Sequence, residues 1–279
     1  MTKGIDVSSY QPNSKLDWPK LKAAGVDFAV VKYTEGTNYM NPEAFAQVTS
    51  ARAAGIVTHA YHFFRAYNIG GARAEAVIFA GKLKLCPVDG YAIIDVEATS
   101  CNVGKDALTA NINAFLDELA QAGFDRLGVY ASLDWFRNKF NRDGLRPGVL
   151  IWLAQYPTSA AVMLSYADSR KPSDPCDVWQ FASSGRVDGY NGNLDVSVDY
   201  SGKMTATWPP AVENIRENEE ENEMIYNYID GNMPEWARPT IQKLVNKGLL
   251  RGNENGELGL NDTMLKIFVV NDRAGIYGE

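Results

Sequence analysis

Residues 91–100, YAIIDVEATS, read as a strand that runs out into two acids. The unbroken apolar stretch before Asp95 suits a strand buried on both faces. Side chains two apart on a strand share a face, so Asp95 and Glu97 point the same way at its C-terminal end. On both sides of this segment the chain alternates between two periods. Strands are expected over 4–8, 27–33, 56–63, 91–96, 127–131, 149–154, 177–181 and 194–198. Helices are expected over 18–24, 42–54, 70–84 and 105–123, with a short one at 134–139. Asn41 and Pro42 open the second helix as cap and first residue, and Gly55 closes it. Five strand–helix units followed by three strands predict an α/β fold, a modified TIM-like (β/α)5(β)3 barrel whose last helices are reduced.

The 279 residues, 46% hydrophobic and 22% charged, have ordinary globular composition. No apolar run approaches the ~18 residues of a membrane span, so no membrane insertion is expected. The opening MTKGIDVSSYQP lacks the apolar core of a signal peptide. If the protein works outside a cell, another agent is expected to release it. A net charge of −7 argues against nucleic acid as partner. Residues 1–210 hold 20 basic and 21 acidic side chains, whereas 211–279 hold 7 and 13. Cys86, Cys101 and Cys176 form no CxxC pair, and the two histidines, His59 and His62, sit in no HExxH motif. Neither a metal site nor a cofactor is expected. The absence of a GxSxG elbow removes a Ser-His-Asp reading.

In barrels of this kind the site lies at the C-terminal ends of the strands. Two acids as close as Asp95 and Glu97 raise the pKa of at least one of them. A protonated carboxylic acid beside an ionised one is the pair that glycosidic cleavage requires. Asp6 in GIDVSSYQ, Glu35 in VVKYTEG and Asp195 in GYNGNLDVSVDYSG add acids at other strand ends. Tyr10, Tyr33, Tyr61, Phe63, Tyr130, Trp152 and Trp179 add aromatic platforms there. Acids among aromatic faces suit a carbohydrate cleft. Glu35, Tyr33, Tyr61, Phe63, Tyr130, Trp152 and Gln180 are the expected sugar-binding residues.

The ordered motifs GIDVSSYQ, VVKYTEG, HAYHFF, AIIDVE, GVYAS, IWLAQY and VWQFASSGRVDGYNGNLD resemble those of glycoside hydrolase family 25, over residues 3–203. The resemblance implies the (β/α)5(β)3 barrel. It also implies cleavage of the β-1,4 bond from N-acetylmuramic acid to N-acetylglucosamine in peptidoglycan, with retention. By that resemblance Glu97 matches the family's general acid. Asp95 matches the aspartate of its DxE motif, Asp6 that of its first strand, and Asp195 that of its late G-x-x-D motif. Phe181 stands where many members have tyrosine. Two roles stay open for Asp95: holding the substrate's 2-acetamido group so that it attacks, or attacking directly. A non-catalytic wall-binding protein on a dead barrel is the alternative for the whole chain.

Residues 205–223, with two prolines and six glutamates, read as an acidic linker after a catalytic barrel over 1–204. Residues 224–279 read as a small α+β domain with helices over 234–247 and 263–274. Trp236, Ile241, Leu244 and Val245 are expected on the buried side of the first. This segment resembles the C-terminal domain of clostridial phage endolysins, which implies cell-wall binding or oligomerisation, and holin-type release onto the wall. The purine-coded run Glu219–Glu221, two residues and then Met224 also resemble an internal start of translation. That start would supply a free copy of 224–279 as partner.

Overall fold

The computed structural model describes residues 1–206, 224–273 and 277–278. The chain forms two compact units, Met1–Pro210 and Ala211–Glu279. The expected linker lies outside the described residues from 207 to 223.

The first unit is a closed barrel. Its strands are β1 (Thr2–Val7), β2 (Phe28–Glu35), β4 (Val57–Phe63), β5 (Ala92–Asp95), β6 (Leu127–Ser132), β7 (Leu150–Ala154), β8 (Val178–Gly185) and β9 (Leu194–Asp199). The two-residue β3 (Tyr39–Met40) pairs with the end of β2. Helices α1 (Trp18–Ala23), α2 (Ala44–Ala53), α3 (Ile69–Leu85), α4 (Lys105–Gln121) and α5 (Leu133–Asn138) follow the first five barrel strands. Neighbouring strands run parallel from β1 through β2, β4, β5, β6 and β7 to β8. The last strand, β9, closes the ring and is antiparallel to both β8 and β1. A strand reached by a short connection, with no helix to carry the chain back, must reverse direction. The expected strands and helices are thus present, with reduced helices at the end, but α2 begins at Ala44 with Glu43 rather than Asn41 in the cap position.

Alternation along the strands makes two cores. Ile5, Val31, Ile94, Val129, Leu153 and Phe181 point outward and pack under the helices. Phe28, Val30, Ile93, Leu150, Trp152 and Val178 point inward and fill the barrel. Gly4 also faces inward, where a Cβ would stand 2.3 Å from the Phe28 ring. Gly55 closes α2 with φ +73°, a conformation other residues avoid. Below the site, His59 Nε2 donates to the Met204 carbonyl at 3.0 Å and Nδ1 accepts from the Tyr91 N–H at 2.8 Å. That pattern needs a neutral ring, and burial pushes its pKa down to about 4.

In the second unit, α6 (Arg238–Asn246) and α7 (Asp262–Arg273) pack on each other. An antiparallel bridge joins Tyr226 to Leu260. Met233, Ala237, Ile241, Leu244, Leu260 and Leu265 form its core. Helix α6 starts four residues later than the pattern predicts. Pro239 is its second residue, and the ring would clash with a helical carbonyl four residues upstream. Trp236 therefore lies before the helix and is 44% exposed, not buried. Among the described residues, no helix is long and apolar enough to cross a membrane.

Candidate active site

The upper rim of the barrel holds a cleft of about 330 Å3. Asp6, Asp95, Glu97 and Asp195 all line it, as do Tyr61, Phe63, Tyr130, Trp152 and Gln180. Each arrives by strand alternation. Asp6 is two residues beyond inward-facing Gly4. Asp95 is two beyond inward-facing Ile93, and Glu97 two beyond Asp95. Asp195 is the second residue of β9, and the reversed direction of that strand brings its start to the rim where the parallel strands end.

Asp6 and Asp195 are direct cross-strand partners. Their electrostatics are linked, Asp195 raising the pKa of Asp6 and Asp6 lowering that of Asp195. Burial, then the charge of Asp195, holds Asp6 well above the usual carboxylate range. Burial pushes Asp195 up to about 6. Gln180 Nε2 donates to Asp6 Oδ2 at 2.8 Å. The Gln180 carbonyl oxygen accepts from Tyr130 Oη at 2.7 Å and Tyr156 Oη at 2.5 Å. This network orients Asp6 from behind.

Asp95 is 5% exposed, and its Oδ1 is buried without a hydrogen-bond partner. Burial and the neighbouring Glu97 raise its pKa well above the usual range. A buried acceptor left unsatisfied is costly, and such an atom beside a cleft is an open place for a donor. Glu97 is open to solvent on its cleft side. The surrounding walls still withdraw water, so burial raises its pKa, with the charge of Asp195 adding to the effect. The arrangement sets a solvent-open carboxyl, Glu97, next to a buried one with an unpartnered oxygen, Asp95.

Lys32 is the one cation among the residues lining this cleft. Its charge opposes the upward shifts of both Asp95 and Glu97. Nζ sits 2.5 Å from Glu35 Oε2 and 4.8 Å from the Phe63 ring centroid. Glu35 Oε1 in turn accepts from Arg65 Nε at 3.0 Å and Nη2 at 2.5 Å. Burial pushes Glu35 up, but the hydrogen bonds from Lys32 and Arg65 outweigh it and hold the carboxyl below its ordinary value. Glu35 thus faces a neighbouring cavity and reaches the cleft only through Lys32.

Tyr33 is not in the cleft, contrary to the expectation from sequence. It is fully buried under α3 and its hydroxyl donates to the Cys86 carbonyl at 2.8 Å. The β2–β4 register shifts between Lys32 and Thr34, so Tyr33 and Thr34 both turn outward. Thr34 Oγ1 meets His62 Nδ1 there at 2.7 Å, and His62 Nε2 meets Glu75 Oε2 at 2.8 Å. Trp179, another expected platform, also faces outward and donates to the Gln155 carbonyl at 2.8 Å. Tyr10 does stand at the rim, 87% exposed. Lys32 and Tyr156 were missed. A lone lysine inside the apolar run DFAVVKY was the available signal for the first. The tyrosine directly after VLIWLAQ was the signal for the second.

Residues 5–190 match the family described as Glycosyl hydrolases family 25. The chain is 29% identical over 202 residues to Lysozyme M1 of Streptomyces globisporus, covering 69% of this chain and 66% of that protein. It is 27% identical over 195 residues to the autolytic lysozyme of Clostridium acetobutylicum, covering 70% of this chain and 54% of that one. It therefore spans just under two thirds and about half of the length of these two relatives. Over 172 residues it is 33% identical to the lysozyme of Lactococcus phage mv1, covering 58% of this chain and 82% of the phage protein. The bacterial lysozyme of Streptomyces coelicolor superposes with a TM-score of 0.59 at 26% identity, over 74% of this chain and 98% of that one. The catalytic domain of endolysin ply40 from the Listeria monocytogenes bacteriophage P40 shares the fold, with a TM-score of 0.64 at 21% identity over 73% and 95% of the two chains. With more than half of its length matched to one family and a mixed eight-stranded barrel around the rim acids, the chain belongs to glycosyl hydrolases family 25.

Proposed function

We propose that this chain is a muramidase, which hydrolyses the β-1,4 bond from N-acetylmuramic acid to N-acetylglucosamine in peptidoglycan with retention. The unpartnered Oδ1 of Asp95, beside Glu97, carries the reading. Glu97 gives its proton to the glycosidic oxygen as the bond to C1 breaks. Asp95 accepts the N–H of the 2-acetamido group and aims the acetamido oxygen at C1. The oxygen attacks, an oxazolinium forms, and water opens it on the same face as the departed sugar, with Glu97 now the base. Asp6 and Asp195, braced by Gln180, position the sugar and add to the field on Glu97. Tyr61, Phe63, Tyr130 and Trp152 line the cleft as apolar faces.

The reading extends to the rest of the chain. The barrel cuts, the acidic segment 205–223 tethers, and 224–279 binds wall or pairs with another copy, including a fragment started at Met224. The separate core of the second unit supports this division. A binding module raises the effective concentration of the barrel at an insoluble surface. Host lysis after holin-type release is the physiological role we assign, and wall is the substrate.

Mass spectrometry of digested cell wall tests the activity. New reducing ends on muramic acid are expected, and proton NMR of the first product should show the β-anomer. New ends on glucosamine would overturn the bond assignment. Glycan stripped of its N-acetyl groups should resist cleavage. Normal cleavage of it would move Asp95 from acetamido holder to direct nucleophile. Binding without any cleavage would favour a dead barrel.

A further inference from the structure

A second concavity of about 720 Å3 opens on the same rim, at the ends of β2 and β4. Glu35, Asn38, Tyr39, Arg65, Tyr67 and Asn68 are among its lining residues. It shares no lining residue with the cleft, yet Lys32 and Phe63 of the cleft wall contact Glu35 and Arg65 of this cavity. Phe63 lines the cleft, and the Arg65 guanidinium carbon lies 4.7 Å from its ring centroid. Glu35 holds Lys32 on the cleft side and Arg65 on the other. The cleavage chemistry itself uses no side chain that opens only into this cavity.

Its chemistry is specific. Arg65 spends Nε and Nη2 on Glu35, while its Nη1 edge makes no hydrogen bond to any described residue. The Arg65 side chain is 47% exposed and Tyr67 is 68% exposed. A free guanidinium edge is a donor pair for a carboxylate. Amide side chains and two phenol rings around it suit a peptide backbone. The volume falls in the range of small-ligand sites, roughly 300–1,000 Å3. Glycan lying across the strand ends must send the peptide of its muramyl residue sideways out of the cleft. Resting on the muramidase reading, we infer that the Arg65 cavity is a subsite for that peptide stem. The Nη1 edge of Arg65 receives a stem carboxylate, and Tyr39 and Tyr67 flank the peptide chain.

The test uses the full chain with two glycans, one carrying stem peptides and one stripped of them by an amidase. The readout is the ratio of kcat/KM on the first to that on the second. Any effect of Arg65 on the catalytic acids through Glu35 and Lys32 enters both rates and cancels in the ratio. The natural chain should prefer peptide-bearing glycan by about tenfold, the worth of one charge-assisted hydrogen bond. Arg65→Gln and Tyr67→Ala should each bring the ratio toward one. A ratio near one for the natural chain, or ratios unmoved by both substitutions, overturns the subsite. Should neither glycan be cut, the muramidase reading fails. The subsite is then judged by NMR titration with N-acetylmuramyl dipeptide. Shifts at the Tyr67 ring and the Asn68 side-chain amide that vanish in Arg65→Gln support it, and their absence from the natural chain overturns it.

Discussion

Asp6 and Asp195 face each other across the antiparallel β1–β9 pair, and both line the cleft. Two carboxyls brought together in a buried site cannot both ionise cheaply. The pair therefore opposes folding at neutral pH. A carboxyl whose folded pKa is raised contributes stability that is complete below the unfolded value near 3.8. That contribution is lost as pH rises through the folded value of about 6. Asp195→Asn should raise Tm at pH 7 by about 2–6 °C, on the order of 1–2 kcal/mol. The gain should fade as pH is lowered to 4, while activity falls. Thermal melts across that range check it, and a gain independent of pH would contradict the raised pKa of Asp195.

Glu97→Gln keeps the shape of the side chain and removes its acid. Turnover on cell wall should fall at least ~100-fold, with far-UV circular dichroism and Tm unchanged. Purified variant that clears wall suspensions at near-normal rate would remove Glu97 from the proton-donor role.

Lys32 and Glu35 should act in opposite directions on the pH profile. Lys32 lowers the pKa of both Asp95 and Glu97, and Glu35 raises that of Asp95. In Lys32→Met, ionisation of Asp95 and deprotonation of Glu97 both move to higher pH. Both limbs of kcat/KM should then shift up. In Glu35→Gln, the Lys32 charge is unmasked and the limbs should shift down. Shifts of the same sign in the two variants would defeat this account.

Tyr33→Phe separates a structural tyrosine from a sugar platform. Loss of the hydrogen bond to the Cys86 carbonyl should cost about 1 kcal/mol of stability. KM and kcat should stay as they were. Denaturant unfolding and steady-state rates together decide it; a raised KM with unchanged stability would return Tyr33 to the cleft.

Sequence by itself determined the barrel and most of its rim. Alternation with period two is a local property, so Asp95 and Glu97 had to share a face once 91–96 was a strand. The same rule placed Asp6, Tyr61 and Tyr130. A helix-forming pattern after each early strand dictated parallel neighbours, and its fading after β6 marked the reduced end. Tertiary structure decided three other matters. The direction of β9 depends on which strands it closes between, and that choice brings Asp195 opposite Asp6. The register shift in β2 depends on pairing with β4, and it turns Tyr33 outward while leaving Lys32 in the cleft. The ion-pair chain from Arg65 through Glu35 to Lys32 joins the segment after β4 to β2, and these side chains meet only when the two strands pair. Local periodicity constrains which face a residue takes, but only strand pairing sets which residues from distant segments meet on that face.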